Sequence, residues 1–98
     1  MGRTADGGSV VPRRAARVDA NQASIVAAAR KLGFLVLDLS GVGRGCPDLL
    51  LGCPRTRRLV LVEVKTPTGK LRPLQAEFAA LWPVTVVREV SDLLPLLK

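Results

Sequence analysis

Two short stretches of the chain carry residues that can do chemistry together. Gly45-Cys46-Pro47-Asp48 runs into an apolar stretch, and Leu61-Val62-Glu63-Val64-Lys65 closes the next one. Two carboxylates and a lysine on adjacent strands can hold a divalent cation beside an amine able to handle protons. Negative carboxylates about 5 Å apart, the Cβ spacing of opposed residues in an antiparallel pair, repel unless a cation lies between them. An oxygen-only donor set suits Mg²⁺ or Mn²⁺. The chemistry such a group could perform is metal-assisted hydrolysis of a phosphodiester. In it Lys65 would orient or deprotonate the attacking water, or offset charge at phosphorus. The plainer reading of the same spacing is a Glu63–Lys65 ion pair on an exposed sheet face, with Asp48 as a turn residue.

The elements that must position these residues can be read from pattern. Ile25, Val26, Ala29 and Leu32 recur at helical spacing, and Gly33 suits the position after a helix end. With Asp19 and Gln22 read as a capping box, the first helix spans residues 20 to 32. Phe34 to Leu39 reads as a strand, Ser40 to Gly45 as a glycine-rich loop, and 48–53 and 58–65 as two further strands. Pro54-Arg55-Thr56-Arg57 between them is a four-residue hairpin turn. That turn pairs Cys53 with Arg58 and so sets Asp48 opposite Glu63. Alternation then puts Glu63 and Lys65 on one face and Val64 on the other. A one-residue slip would break the arrangement.

A second helix begins near Pro73, with Leu74, Phe78 and Leu81 as its apolar stripe, and stops at Pro83. Gln75 lies in its first turn, near the end of the third strand. Val84 to Val87 is a fourth strand, and a short helix from Ser91 closes the chain. The order is α-β-β-β-α-β-α, an α/β fold in one domain spanning residues 19–98. Residues 1–18, with Arg3, Arg13, Arg14 and Arg17 against Asp6, read as a basic flexible arm.

Composition narrows the function classes. The 98 residues allow one small domain of marginal stability, which dimerisation would help. Hydrophobic residues make up 48% of the chain, as expected of a nearly buried sheet or a subunit interface. The net charge of +7 favours an anionic partner such as nucleic acid. Phe34, Phe78 and Trp82 are the whole aromatic complement, too few to stack successive bases, so phosphate and duplex-shape contacts fit better. Trp82 reads as core or interface. With no histidine and only Cys46 and Cys53, a structural zinc site and a histidine-activated nucleophile are both excluded. The cysteines read as small apolar residues. Gly41 to Gly45 lacks the spacing of a dinucleotide-binding loop, and Thr66 to Lys70 lacks the leading glycine of a P-loop, so no nucleotide cofactor is expected. No apolar run reaches membrane-spanning length and no signal peptide is legible, which implies a cytoplasmic protein.

Glycine-x-Pro-Asp at Gly45 to Asp48, Glu-Val-Lys at Glu63 to Lys65, and Gln75 ten residues on resemble the VRR-NUC branch of the PD-(D/E)XK nucleases. The resemblance covers roughly residues 18 to 98, and the α-β-β-β-α-β order is similar to that superfamily's restriction-endonuclease-like core. It implies a central mixed four-stranded sheet flanked by helices and a Mg²⁺- or Mn²⁺-dependent DNA endonuclease. Asp48, Glu63 and the Val64 carbonyl would be metal ligands, Lys65 the catalytic lysine, and Gln75 the glutamine near the scissile phosphate. Arg44, Lys70 and Arg72 would be candidate DNA contacts. Stand-alone phage members of the branch are similar to dimeric Holliday junction resolvases, which implies branched DNA as substrate and a homodimer. The chain departs from the family where a first-helix glutamate usually supports the metal: the equivalent position is Ser24, with Asp19 and Gln22 offset along the helix. That departure raises a second expectation, a DNA-binding protein that keeps the fold and cuts poorly. A third is a nuclease acting on flap or duplex DNA.

Overall fold

A computed structural model describes the backbone of residues 13–98 and the side chains from Ala20 onward. The elements follow in the order α1 (Arg13–Lys31), β1 (Leu35–Asp38), β2 (Leu49–Cys53), β3 (Arg58–Val64), α2 (Pro73–Leu81) and β4 (Thr85–Val87), with a 3₁₀ helix over Val90–Leu97. The four strands form one sheet in chain order. β1–β2–β3 is an antiparallel meander, and β4 joins β3 in parallel after the α2 crossover. The chain is thus α/β, with the mixed sheet and element order of a restriction-endonuclease-like core.

Helix α1 begins earlier than its sequence signals. Arg13 to Val18 belong to it, so this part of the expected arm is helical, and residues 1–12 lie outside the described residues. Asp19 falls inside the helix, not at its start. Arginine and alanine propagate a helix well, and Pro12 stands just ahead of its first residue, where proline is tolerated. The C-terminal end follows expectation. Gly33 takes φ +99°, and Phe34 N–H donates to the Ala29 carbonyl at 3.0 Å, closing the helix.

The hairpin register is the expected one, with Cys53 opposite Arg58 and Leu49 opposite Val62. Period-two alternation then sorts β2 and β3 onto two faces. Leu49, Leu51 and Cys53 of β2 and Val62 and Val64 of β3 are buried with Ile25 and Ala29 of α1, Phe34, Val87 and Leu93 in one core. Removing a leucine from such a core costs about 2–5 kcal/mol. The opposite face carries Leu35 and Leu37, Leu50 and Gly52, Leu59 and Leu61 in matched rows, and at its far end Glu63.

Helix α2 covers only that far end. None of its residues is fully buried; Leu74 is exposed and Leu81 is 79% exposed. The expected apolar stripe exists in sequence but has little to pack on within one chain. Trp82, expected in the core or an interface, is exposed and therefore outside the core of the single chain. No helix among the described residues is long and apolar enough to cross a membrane.

Candidate active site

The site forms where β2, β3 and the first turn of α2 meet. Glu63 points away from α1, as alternation requires, yet only 2% of it is exposed, because α2 lies over it. That rules out the plain exposed ion pair. Asp48 stands one residue before β2, and its carbonyl accepts the Leu39 N–H at 2.7 Å. Its Oδ2 accepts the Val64 main-chain N–H at 2.8 Å, which folds the carboxylate in toward Glu63. Pro47 beside it is buried, and it has no N–H to leave unsatisfied.

Gln75 ties the cluster together. Its Nε2 donates to Glu63 Oε2 at 2.9 Å, and its Oε1 accepts from Lys65 Nζ at 2.8 Å and from the Arg72 N–H, also at 2.8 Å. Two donors on one end of the amide and a carboxylate on the other fix its orientation. Lys65 Nζ also lies 3.6 Å from Glu63 Oε2. Of the site residues expected from sequence, Asp48, Glu63, Lys65 and Gln75 therefore converge, with Val64 between them contributing its backbone.

Electrostatics single out Glu63. Burial, then the Asp48 carboxylate beside it, push its carboxyl up to about 7, and Lys65 only partly offsets this. Two carboxyl groups with one ammonium beside Glu63 leave room for positive charge, and the donors are hard oxygens. These residues fit a divalent cation of the Mg²⁺ or Mn²⁺ type. They are only two carboxylates: no group of three or more His, Cys, Asp or Glu side chains gathers among the described residues. Ser24 is exposed and makes none of the site's hydrogen bonds.

The glycine loop is built against α2. A Cβ on Gly45 would clash with the Leu74 carbonyl oxygen, and Gly45 has φ +79°, so only glycine fits. Arg44 beside it has φ +58°, unusual for a side-chain-bearing residue, and is exposed, as are Lys70 and Arg72. None of these three joins the hydrogen bonds among Asp48, Glu63, Lys65 and Gln75 through its side chain.

Sequence reasoning passed over two residues. Asn21 read only as part of a helix start, and Arg88 drew no notice. Asn21 Nδ2 donates to the Lys65 carbonyl at 2.8 Å, and Arg88 Nη1 donates to the carbonyls of Thr66 and Gly69 at 2.9 and 2.6 Å. The available signal was a polar residue one turn before buried Ile25, and an arginine directly after an apolar strand.

A mixed sheet with acidic, acidic and lysine side chains at one end is the arrangement of a restriction-endonuclease-like nuclease. Comparison with known families agrees: the VRR-NUC domain model matches residues 10–81, a stretch that includes Asp48, Glu63, Lys65 and Gln75. The chain belongs to the VRR-NUC domain family, nuclease domains of the restriction-endonuclease-like superfamily that are typically metal-dependent and act on DNA. No curated protein and no solved structure matches it.

Proposed function

We propose that the protein is a Mg²⁺- or Mn²⁺-dependent endodeoxyribonuclease that cuts branched DNA, in the manner of a Holliday junction resolvase, as a homodimer. The observation that carries the nuclease reading is the Gln75 amide joining Lys65 to Glu63, with Asp48 folded in beside them. An isolated ion pair would not require a third residue from another element.

Asp48 and Glu63, with the Val64 carbonyl, would hold the cation. When bound, it would supply polarisation of a phosphoryl oxygen and acidify water. The protein's own groups do the rest. Lys65, kept by Gln75 from collapsing fully onto Glu63, presents an ammonium or amine to the attacking water and to the charge that grows on phosphorus. Water adds to phosphorus opposite the leaving oxygen, the P–O bond to that oxygen breaks, and the leaving alkoxide takes up a proton. Arg44, Lys70 and Arg72, all exposed, would meet backbone phosphates.

The uncovered sheet face supports the homodimer. Leu35, Leu37 and Leu59 are exposed beside Leu50 and Leu61, Leu59 by 72%, and no charged residue stands among them. Such a patch cannot serve DNA phosphates, and it has the apolar character of a homodimer interface. Paired sites in a two-fold dimer would suit paired cuts on a two-fold junction. Exposed Ser24 favours one other reading, a binding protein with the nuclease fold that cuts poorly.

The test is cleavage of end-labelled four-way junction, flap, duplex and single-stranded DNA with Mg²⁺, Mn²⁺ or EDTA, beside Lys65→Ala. Metal-dependent symmetric junction cuts, reduced at least ~100-fold in Lys65→Ala, are expected. Cuts only on flaps or duplex would keep the nuclease and remove the junction. Junction binding with no Lys65-dependent cutting would select the binding protein.

A further inference from the structure

Lys65 is held by its backbone as well as by its side chain. Its N–H donates to the Val87 carbonyl at 3.0 Å, and its carbonyl accepts from Asn21. The same Asn21 amide lies 3.4 Å from the Arg88 carbonyl, so one side chain of α1 spans the ends of parallel strands β3 and β4. Arg88 then works in the other direction. Its guanidinium donates to the Thr66 and Gly69 carbonyls, across a turn closed by the Gly69 N–H to Thr66. Its own N–H is fixed by Asp92 Oδ2 at 2.9 Å. The segment that leads from Lys65 to Gln75 is thereby fastened to β4.

Both side chains donate to backbone carbonyls and the Lys65 ammonium donates to Gln75, so any effect on it must pass through the main chain. A lysine stem has four rotatable carbons, and the place from which it starts decides where Nζ can stand. Misplacing a reacting group by about 1 Å can cost about 100-fold in rate.

We infer that Asn21 and Arg88 are positioning residues that set the Lys65 ammonium against Gln75 and Glu63, an inference that rests on the nuclease reading above. Asn21 reaches the backbone at the site from the first helix through its amide nitrogen, which donates to carbonyls. A merely structural tie would lower stability and leave each folded molecule as fast as before.

The experiment uses the full chain and the DNA substrate it cuts. Single-turnover cleavage at saturating DNA, DNA affinity without metal, thermal stability, and amide hydrogen exchange of Lys65 and of Leu51 without metal are measured for Asn21→Ala, Arg88→Met and Arg88→Lys. Expected are rates lower by about 10- to 100-fold in Asn21→Ala and Arg88→Met, unchanged affinity, and faster exchange at Lys65 but not at Leu51. Arg88→Lys, which keeps the cation and its donors, should recover much of the rate. An unchanged rate per folded molecule overturns the inference, as does a rate loss that only follows affinity or Leu51 protection. A wild-type chain that cuts nothing fails the nuclease reading instead, and exchange at Lys65 then decides the backbone restraint by itself.

Discussion

The two faces of the sheet are built to different standards. The face under α1 is finished: Leu49, Leu51, Val62 and Val64 meet Ile25 and Ala29 with almost nothing exposed. The other face is divided. At one end, α2 shelters Glu63 and the hydrogen bonds of Gln75; at the other, leucines stand open to solvent. One face therefore supplies stability, and the other holds a buried charge and an unsatisfied apolar surface. Glu63 and the exposed Leu59 share one face of β3, so whatever covers the leucines adjoins the candidate site.

The sharpest way to break this contrast is to damage the finished face. Leu51→Ala should cost about 2–5 kcal/mol in denaturant unfolding, because the cavity cannot refill from solvent-facing neighbours. A loss well under that would mean the core is not where the stability resides.

The next effect has the opposite sign. Folding raises Glu63 from 4.5 to about 7, so between those values the folded chain binds more protons than the unfolded one. Metal-free stability should therefore fall as pH rises from about 4.5 to about 7, then level off, with a total loss on the order of 3 kcal/mol. Glu63→Gln should flatten that slope and raise the melting temperature at pH 7.5. Mg²⁺ should stabilise the wild-type chain at pH 7.5 and far less at pH 5.5, where the proton competes. A wild-type melting profile with no fall over that pH range would remove the buried-charge account.

Gly45→Ala strikes the join between the glycine loop and α2. Left-handed backbone and the clash of the added Cβ with the Leu74 carbonyl should together cost more than about 1 kcal/mol. Loss of cleavage should accompany it if α2 and Gln75 shift. The smallest change in single-chain stability, within about 0.5 kcal/mol, is expected for Leu37→Ser with Leu59→Ser. The same pair should turn a dimer into a monomer in sedimentation, and an unaltered mass would free this face from the interface.

Much of this was legible because it depends on counting. Pro54 to Arg57 sets the turn, and alternation then brings Asp48 toward Glu63 and puts Glu63 and Lys65 on one face without further information. The last step was less exact, since the Asp48 side chain turns back to accept the Val64 N–H. Capping signals misplaced the start of α1, because arginine and alanine extend a helix past a plausible N-cap. Burial of α2 was overestimated for a related reason: Leu74, Phe78 and Leu81 give a stripe its period but not a surface to meet. Asn21 and Arg88 were illegible because they bind carbonyls, which every residue possesses, and no local pattern says which carbonyl is near.

The alternation in β3 has an evolutionary consequence. Deleting a single residue between Arg58 and Val62 would rotate everything beyond it by half a turn of the pleat. Glu63 would be driven under α1 and a valine delivered to the site. Point substitutions can be accepted there one at a time, as size and polarity allow. Length cannot drift by odd steps, and the lineage of such a chain should keep this interval fixed while the hairpin tip at residues 54–57 varies freely.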